Sequence, residues 1–320
     1  SRKQDYIFRS KRLKENAKHS AEIAYVTGND FFEAVTDAEL YSKERNYVYS
    51  GGGHTVLQFN SKEKAKEFVK NVTESAMRLF DGLEIFAKLM SYDENRTPGD
   101  NLKQLSKLLE QKKSRRKEAF RYTALGIEEL DTENYMPVIK MELKVQKSKM
   151  TDNTVKSPDG WQFPQDFNEL VYKTYDKDQD IPNDNFLAVV HIDGNAMGAK
   201  VDAIYQKETE SWQKCCESLQ EFSQIIQEDF ESSFREMVQE VINQNLASDI
   251  LPVRPVILAG DDVCFISAGS IGLECARIFL EKLSKKQING ENYAACAGVA
   301  IVHRKYPFHL AYELAEELCS

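Results

Sequence analysis

The order of strand-length and helix-length segments constrains the fold of this chain more than any other feature. The second half contains a continuous apolar run, 186–192, followed by helical periodicity from about residue 200 to residue 245. Two further apolar runs, 255–258 and 263–266, flank Ala259-Gly260-Asp261-Asp262, which is typical of a tight β-hairpin because glycine tolerates a positive φ and aspartate suits turns. This β-β unit completes a β-α-β-β-α-β order, the ferredoxin-like arrangement, together with a helix at 271–286, a strand at 293–302 and a closing helix at 308–318.

The first half repeats this order with a shorter first helix. Its central feature is a second predicted hairpin, in which 47–50 and 55–59 flank Gly51-Gly52-Gly53-His54. Two copies of one module are therefore the best interpretation, and they predict an α+β fold of two ferredoxin-like domains, 1–122 and 186–320. The other predicted elements of the first module are a strand end at 5–8, a helix at 11–25, a helix at 62–80, a strand at 83–90 and a helix at 102–121.

The segment between the two modules, 123–185, is predicted to be a connector. It carries proline turn signals, many charges and little periodicity, with some strand content near 137–145. Because the chain begins within a predicted strand and stops at the end of a predicted helix, we expect further segments to flank it.

Composition excludes several classes of protein. With 320 residues, of which 42% are hydrophobic and 29% charged, the chain is long enough for two cores and is neither disordered nor collagen-like. No stretch approaches the roughly 18 to 20 apolar residues of a membrane span, and no apolar signal core follows the N-terminus, so we expect a cytoplasmic protein. Six cysteines lack a C-x-x-C pair or a histidine at zinc spacing, which indicates reduced, mostly buried thiols.

Basic residues are clustered although the net charge is −9. An acidic chain is a poor general coat for nucleic acid, but each cluster could contact RNA or a partner subunit locally. The competing interpretation is two solvated helix faces. The first cluster comprises Arg2, Lys3, Arg9, Lys11, Arg12 and Lys14, and the second comprises Lys112, Lys113, Arg115, Arg116, Lys117 and Arg121.

Three carboxylates are the candidate catalytic residues: Asp193 at the end of the first strand of the second module, and Asp261 and Asp262 in its hairpin turn. In a ferredoxin-like sheet of strand order 4-1-3-2 the first strand lies beside the third, so the three acids are expected to converge. Crowded carboxylates are unfavourable without a cation, and oxygen ligands suit two Mg²⁺ or Mn²⁺ ions. Gly-Asp-Asp is also ordinary turn chemistry, which is the alternative.

A phosphate-binding turn is predicted directly after Asp193, where a strand becomes a helix. Backbone N–H groups at a helix N-terminus bind phosphate, and small residues leave them accessible. Lys305, after the last strand, is the candidate cation for a β- or γ-phosphate, with an ordinary strand-end flank as the alternative. The predicted nucleotide-binding residues are Gly194, Asn195, Ala196, Met197, Gly198, Gly260 and Lys305.

These motifs together resemble the palm-polymerase large subunit of type III CRISPR effector complexes, the Cmr and Csm group related to GGDEF nucleotide cyclases. The family's Asp-Gly-Asp-Asn-Met-Gly strand end is similar to Asp193-Gly194-Asn195-Ala196-Met197-Gly198. Its Gly-Gly-Asp-Asp hairpin is similar to Ala259-Gly260-Asp261-Asp262, and its Ala-Gly-Val-Ala-Ile-Val-His-x-Lys-Tyr-Pro tail to 297–307. The segment 5–15 resembles the opening of the family's first palm, and Gly51-Gly52-Gly53-His54 its degenerate hairpin. The resemblance covers nearly the whole chain.

The resemblance implies a nucleotidyltransferase that condenses ATP into cyclic oligoadenylate in antiviral defence and releases pyrophosphate. It implies Asp193, Gly194, Asp261 and Asp262 as ligands of two Mg²⁺ or Mn²⁺ ions. The first module has Gly53 and His54 where carboxylates are needed, so it would serve as a nucleotide-binding or structural partner. Guide or target RNA, small effector-complex subunits and a second copy of the chain are the implied partners, and no membrane is.

Departures from the family pattern leave two other functions open. Asn195 replaces an acid and Ala259 a glycine, no His-Asp pair marks the nuclease domain of many relatives, and the connector lacks their zinc-binding cysteines. One alternative is a stand-alone cyclic dinucleotide synthase. The other is a non-catalytic scaffold that binds guide RNA and a small partner subunit.

Overall fold

A four-stranded antiparallel sheet organises the C-terminal part of the chain, and its strands lie in the order β4 (Val253–Ala259), β5 (Asp262–Ala268), β3 (Phe186–Gly194) and β8 (Ala295–His303). The structure, a computed structural model, describes residues 2–8, 10, 12–51, 53–80, 82–114, 155–170 and 185–319. The first strand of the module, β3, lies between the third and the fourth, as the sequence predicts. The elements of this part are β3 (Phe186–Gly194), α7 (Met197–Lys207), α8 (Trp212–Ile242), β4 (Val253–Ala259), β5 (Asp262–Ala268), α9 (Gly272–Ser284), β6 (Gln287–Ile288), β7 (Glu291–Asn292), β8 (Ala295–His303) and α10 (Phe308–Cys319).

Helices cover both faces of this sheet. Alternate residues of a strand point to opposite faces, and in β3 Val190 and Ile192 pack with α8 and α9, whereas Leu187 and Val189 pack with α10. Because β3 is buried on both sides, it is a continuous apolar run rather than an alternating one.

The predicted long helix at 200–245 is two helices, α7 and α8, so that prediction is wrong in its continuity. Ser211 begins α8 by accepting a hydrogen bond from the Lys214 N–H at 3.3 Å. Serine is a favourable N-cap because its hydroxyl satisfies a backbone donor that the helix leaves unpaired. Phe222, Ile226 and Phe230 follow one face of α8 in steps of four and are buried against the sheet.

Among the described residues of the N-terminal part, the predicted hairpin forms but the predicted four-stranded sheet does not. Strands β1 (Tyr47–Gly51) and β2 (His54–Leu57) pair as expected, with Gly53 at a φ of 72° in the turn. The prediction of a strand at 5–8 is wrong, because residues 2–7 form α1. The prediction of a strand at 83–90 is also wrong, because these residues form neither a helix nor a strand. In a 4-1-3-2 sheet their partner would have been the first strand, which is replaced here by α1. The elements here are α1 (Arg2–Ile7), α2 (Leu13–Val26), α3 (Asn29–Val35), α4 (Lys43–Asn46), β1 (Tyr47–Gly51), β2 (His54–Leu57), α5 (Lys62–Leu79) and α6 (Pro98–Ser114).

The short α1 packs against the C-terminal part of the chain. Phe8, directly after it, is buried between Phe308 and Tyr312 of α10, with ring centroids 4.9 Å and 4.5 Å away. The Gln4 side-chain amide donates hydrogen bonds to the Tyr312 hydroxyl at 3.1 Å and to Glu316 Oε1 at 2.8 Å. The apolar residues at 6–8 are therefore explained by the packing of a helix end, which for Ile7 and Phe8 is in the cluster that contains α10, and not by a strand.

Of the predicted connector, 155–170 and residue 185 lie within the described residues. This segment is joined to the sheet by Arg254 of β4, which is fully buried and donates a hydrogen bond to the Pro164 carbonyl at 2.5 Å. The strand content predicted near 137–145 and the basic residues Arg9, Lys11 and 115–121 lie outside the described residues. Five of the six cysteine thiols are buried and Cys296 is half-buried. Among the described helices, none has the length and apolarity required to cross a membrane.

Candidate catalytic site

Strand pairing brings the three candidate acids to one end of the sheet. Asp193 is the penultimate residue of β3, and Ile192 before it pairs with Val263 of β5. Asp262 is the first residue of β5, and Asp261 lies in the two-residue turn closed by the pairing of Ala259 with Asp262. The predicted adjacency of the first and third strands of the module, β3 and β5, is therefore confirmed.

Two glycines allow the turn to approach the end of β3. Gly260 adopts a φ of 70°, which other residues enter only at a cost of roughly 1 to 2 kcal/mol. At Gly194, an added Cβ would lie 3.0 Å from the Asp261 Cβ and 2.7 Å from the Met197 Cε. A side chain at position 194 would thus push Asp261 away from β3.

Burial and the repulsion of neighbouring carboxylates raise the pKa of Asp261 and of Asp193. Desolvation, together with the charges of Asp193 and Asp262, raises the pKa of Asp261 to about 6, against the effects of its own backbone N–H and of Lys3. The pKa of Asp193 is also raised, mainly by desolvation and further by Asp262 and Glu316, while His191 opposes the shift. A cation bound here would reverse this penalty.

Asp262 offers a buried oxygen that suits a cation. Its Oδ1 is buried and has no hydrogen-bond partner among the described residues, although His191 Nε2 lies 3.4 Å away. Carboxylate oxygens are the ligands that Mg²⁺ and Mn²⁺ prefer, so the donor set fits a hard divalent ion. However, no three His, Cys, Asp or Glu side chains within the described ranges lie close enough together to hold a metal ion. The acids are within electrostatic range of one another, but the expected convergence into one ligand cage is not observed.

The N-terminal part contributes cations that the sequence analysis did not assign to this site. Lys3 of α1 lies against the tip of the β1–β2 hairpin, where a Cβ on Gly53 would be 3.1 Å from the lysine Cε and 3.3 Å from its Nζ. Burial lowers the pKa of Lys3, and the charges of Asp262 and Asp261 oppose that shift. On the same hairpin, His54 Nε2 lies 2.9 Å from the Nζ of Lys113. Lys3 thus lies between the N-terminal hairpin and the acids, whereas Lys113 contacts His54 and Glu110.

Helix α8 holds the two hairpin turns next to each other. The Ser223 hydroxyl donates a hydrogen bond to the Ser50 carbonyl of β1 at 2.5 Å. One helical turn later, Gln227 Oε1 accepts a hydrogen bond from the Gly260 N–H at 2.6 Å. Residues four apart lie on one helix face with Cβ atoms roughly 5 to 6 Å apart, so α8 sets the distance between the hairpins. No sequence motif marked Ser223 or Gln227 for this position.

The turn after Asp193 enters a helix as predicted. Ala196 adopts the left-handed conformation, with φ 59° and ψ 25°, and α7 begins at Met197. The Asn195 N–H donates to the Ala294 carbonyl at 2.8 Å, and Gly198 is exposed with open space around it. The N–H groups of the first turn of α7 therefore lie beside the Asp193 end of β3; phosphate binding there stays a prediction.

Lys305 lies at the other end of the sheet, so its predicted contact with the β- or γ-phosphate is wrong. In the antiparallel pairing of β3 with β8, Asp193 is opposite Cys296 whereas Phe186 is opposite His303. These pairs are seven residues apart, and at about 3.3 Å per residue they are separated by roughly 23 Å. A lysine side chain cannot bridge that distance. The sequence argument failed because an antiparallel last strand ends where the first strand begins.

The raised pKa of Asp261 predicts a pH dependence of stability without added metal. An unfolded aspartate has a pKa near 3.9, so between about pH 4 and pH 6 the folded state retains a proton that the unfolded state has lost. The free energy of unfolding should therefore fall as pH rises, by roughly 1.4 kcal/mol from about pH 5 to pH 8 through this group. Urea unfolding of the protein and of Asp261→Asn, both in EDTA, measures the difference. A difference independent of pH would contradict this assignment.

The comparisons with known proteins agree with the fold and the motifs. Residues 186–320 match the family model for the second palm domain of Cas10/Cmr2. No curated protein is significantly similar to the chain.

Solved Csm1–Csm4 cassettes have the same fold as this chain at low sequence identity. The cassette in complex with pppApA has a TM-score of 0.61 at 14% identity and covers 99% of this chain and 51% of its own. The cassette with one ATP has a TM-score of 0.60 at 15% identity and covers 100% of this chain and 51% of its own. The cassette with cA4 has a TM-score of 0.58 at 14% identity and covers 99% of this chain and 50% of its own. The chain thus spans about half the length of these relatives. The match of residues 186–320 to the second palm domain of Cas10/Cmr2, together with the shared fold, confirms the resemblance to the large subunit of type III CRISPR effector complexes.

Proposed function

We propose that the chain is a metal-dependent nucleotidyltransferase that condenses ATP into cyclic oligoadenylate. The observation that carries this proposal is the placement of Asp193, Asp261 and Asp262 at one end of a Cas10/Cmr2-type palm sheet, beside the first turn of a helix. Solved Csm1–Csm4 cassettes with ATP, pppApA and cA4 support ATP as the substrate and cyclic oligoadenylate as the product.

In the proposed reaction, a ribose 3′-oxygen attacks the α-phosphorus of a second ATP, and the bond to pyrophosphate breaks. Asp193, Asp261 and Asp262 would hold Mg²⁺ or Mn²⁺, with the Gly194 carbonyl as a further oxygen. Divalent ions of this kind activate the attacking hydroxyl and neutralise the charge of the leaving group. The protein itself positions the reactants, and the first N–H groups of α7, from Met197 and Gly198, would orient the triphosphate.

The N-terminal hairpin would bind phosphate in this arrangement. Lys3 of α1, which lies against the turn of this hairpin, is close enough to Asp261 and Asp262 to supply the positive charge that Lys305 cannot, and Lys113 of α6 adds a cation beside His54. With Gly53 and His54 at its turn, the N-terminal hairpin has no carboxylates of its own, so one catalytic centre is expected in the chain. We propose the corresponding division into a reduced, non-catalytic palm-related unit at 1–122, a connector at 123–185 and a catalytic palm at 186–320.

Activity within an RNA-guided complex is the form of this proposal that we favour. The solved relatives are Csm1–Csm4 subcomplexes of a type III-A CRISPR interference complex, so a small subunit of the Csm4 kind is the proposed protein partner. The observation that favours a scaffold instead is that the three acids are not gathered closely enough to hold an ion among the described residues. A scaffold would bind the partner and RNA without making product.

The test is incubation of the purified protein with ATP and Mg²⁺ or Mn²⁺, with products resolved by mass spectrometry. We expect pyrophosphate and cyclic oligoadenylate, alone or after target RNA and the small subunit are added, and none from Asp261→Ala/Asp262→Ala. Equal product from this double variant would overturn the assignment of the acids. A two-membered cyclic product made by the protein alone would favour the stand-alone cyclic dinucleotide synthase, and no product under any condition would favour the scaffold.

A further inference from the structure

The hairpin turn that carries Asp261 and Asp262 is held from outside the sheet by one side-chain amide. Gln227 Oε1 accepts a hydrogen bond from the Gly260 N–H at 2.6 Å, and Gln227 Nε2 donates one to the Leu258 carbonyl at 3.3 Å. The same Nε2 contacts Glu231 Oε1, one turn further along α8. The two hydrogen bonds to Leu258 and Gly260 together form the Gln227 clamp.

The clamp pairs backbone groups that the sheet leaves unpaired. Strand β4 is at the edge of the sheet, and its closing pair with β5 is Ala259 with Asp262. Leu258 and Gly260, on either side of Ala259, therefore direct their C=O and N–H groups away from β5. A glutamine side chain supplies one donor and one acceptor, so it bonds both groups as a neighbouring strand would. Glutamate lacks the donor, and asparagine is one methylene shorter.

We propose that Gln227 is a positioning residue that fixes the Asp261–Asp262 turn for metal binding and catalysis. The proposal rests on the function proposed above for these acids. Gly260 directly precedes Asp261, and its left-handed conformation leaves the turn without support from regular pairing. Since the N–H of that residue is bonded to Gln227, loss of the amide lets the turn move relative to Asp193 on β3. Residues that orient metal ligands in this way typically change metal affinity or activity by about 10- to 100-fold when replaced.

The clamp also relates the acids to the N-terminal hairpin. Ser223, one turn before Gln227 on the same face of α8, bonds the Ser50 carbonyl, and Gln220 Nε2 lies 3.3 Å from the Tyr47 carbonyl. The distance from the acids to Lys3 and Gly53 is therefore set through one rigid helix. A freed turn would change both the acid geometry and the width of the space between the two hairpins.

Gln227→Met tests the proposal, because methionine retains the length and volume of the side chain and removes only the amide. The matched control is Gln224→Met, on the exposed side of α8, where the amide donates only to Glu228 at 2.7 Å. Mn²⁺ binding, measured by electron paramagnetic resonance of the free ion, and the kcat and KM for ATP are compared for both variants and the wild type. We expect Gln227→Met to lose about 10- to 100-fold in Mn²⁺ affinity and kcat, with KM for ATP within about twofold, and Gln224→Met to match the wild type.

The outcomes separate this proposal from the proposed function. Both variants should unfold at the same temperature, and only Gln227→Met should lose Mn²⁺ affinity and kcat. This result supports positioning rather than general destabilisation. Wild-type Mn²⁺ affinity and kcat in Gln227→Met would overturn the clamp while the nucleotidyltransferase stands. A wild type that binds Mn²⁺ more tightly than Gln227→Met does, but makes no product, would keep the clamp and overturn the function. A wild type with neither property would overturn both.

Discussion

Asparagine in place of Asp193 is expected to lower the rate of pyrophosphate release from ATP about a thousandfold. The change keeps the shape of the side chain and removes one negative charge from the end of β3, where Asp262 and Glu316 already disfavour ionisation. Metal-assisted charge stabilisation is worth several kcal/mol, and each 1.36 kcal/mol is tenfold in rate, so the loss of about 4 kcal/mol gives this factor. Steady-state release of pyrophosphate, coupled to a phosphate assay, measures it.

The control for this prediction is Glu317→Gln in α10, which removes one exposed charge from the same end of the molecule without touching the acids. We expect this variant to retain the wild-type rate within about twofold, as surface charges away from a site have small effects. A rate in Asp193→Asn within tenfold of that of the control would place the metal-binding oxygens elsewhere and leave Asp193 as a strand-end residue.

The C-terminal sheet was predictable because its strands are buried and its turns are chemically marked. Strand β3 reads as one apolar run since helices cover both of its faces, and Gly260 supplies the conformation that the turn needs. Strand order then followed from topology, and it placed Asp193 beside Asp261 and Asp262. The family model for residues 186–320 agrees with that interpretation.

The remainder of the site depends on contacts between distant segments, which a pattern of residues does not encode. Lys3 was recognised as one of a basic cluster, but its position beside the acids depends on how α1 packs on α10. Gln227 carries no local signal, because half-exposed glutamines are common on helices such as α8. The prediction for Lys305 failed for a different reason. Its charge suits phosphate binding, but the antiparallel direction of β8 places it at the end of the sheet away from the acids. Chemical type was thus readable from the sequence, whereas placement required the tertiary structure.

The misassigned strand at 5–8 leads to the second large prediction, which concerns Phe8. An apolar run of this length fits a strand or a buried helix end equally well, and contact with α10 decides between them. We expect Phe8→Ala to lower the free energy of unfolding by about 3 to 5 kcal/mol, because the side chain is buried between the rings of Phe308 and Tyr312. Urea unfolding measures the change, and Met77→Ala, at an exposed position of α5, is the control and should change it by less than about 0.5 kcal/mol.

Loss of the Phe8 side chain should also favour local unfolding of α1. Because α1 carries Lys3, this unfolding is expected to affect the candidate catalytic site. The two hydrogen bonds from Gln4 to Tyr312 and Glu316 are half-buried and do not hold a six-residue helix without the packing of Phe8. Amide hydrogen exchange in residues 2–8 is therefore expected to accelerate more than in α8. If ATP is bound through Lys3, the same variant raises the KM for ATP while Met77→Ala does not, because α1 carries the lysine towards the acids. Faster exchange throughout the chain with an unchanged KM would instead make Phe8 a residue of the common core and separate α1 from nucleotide binding.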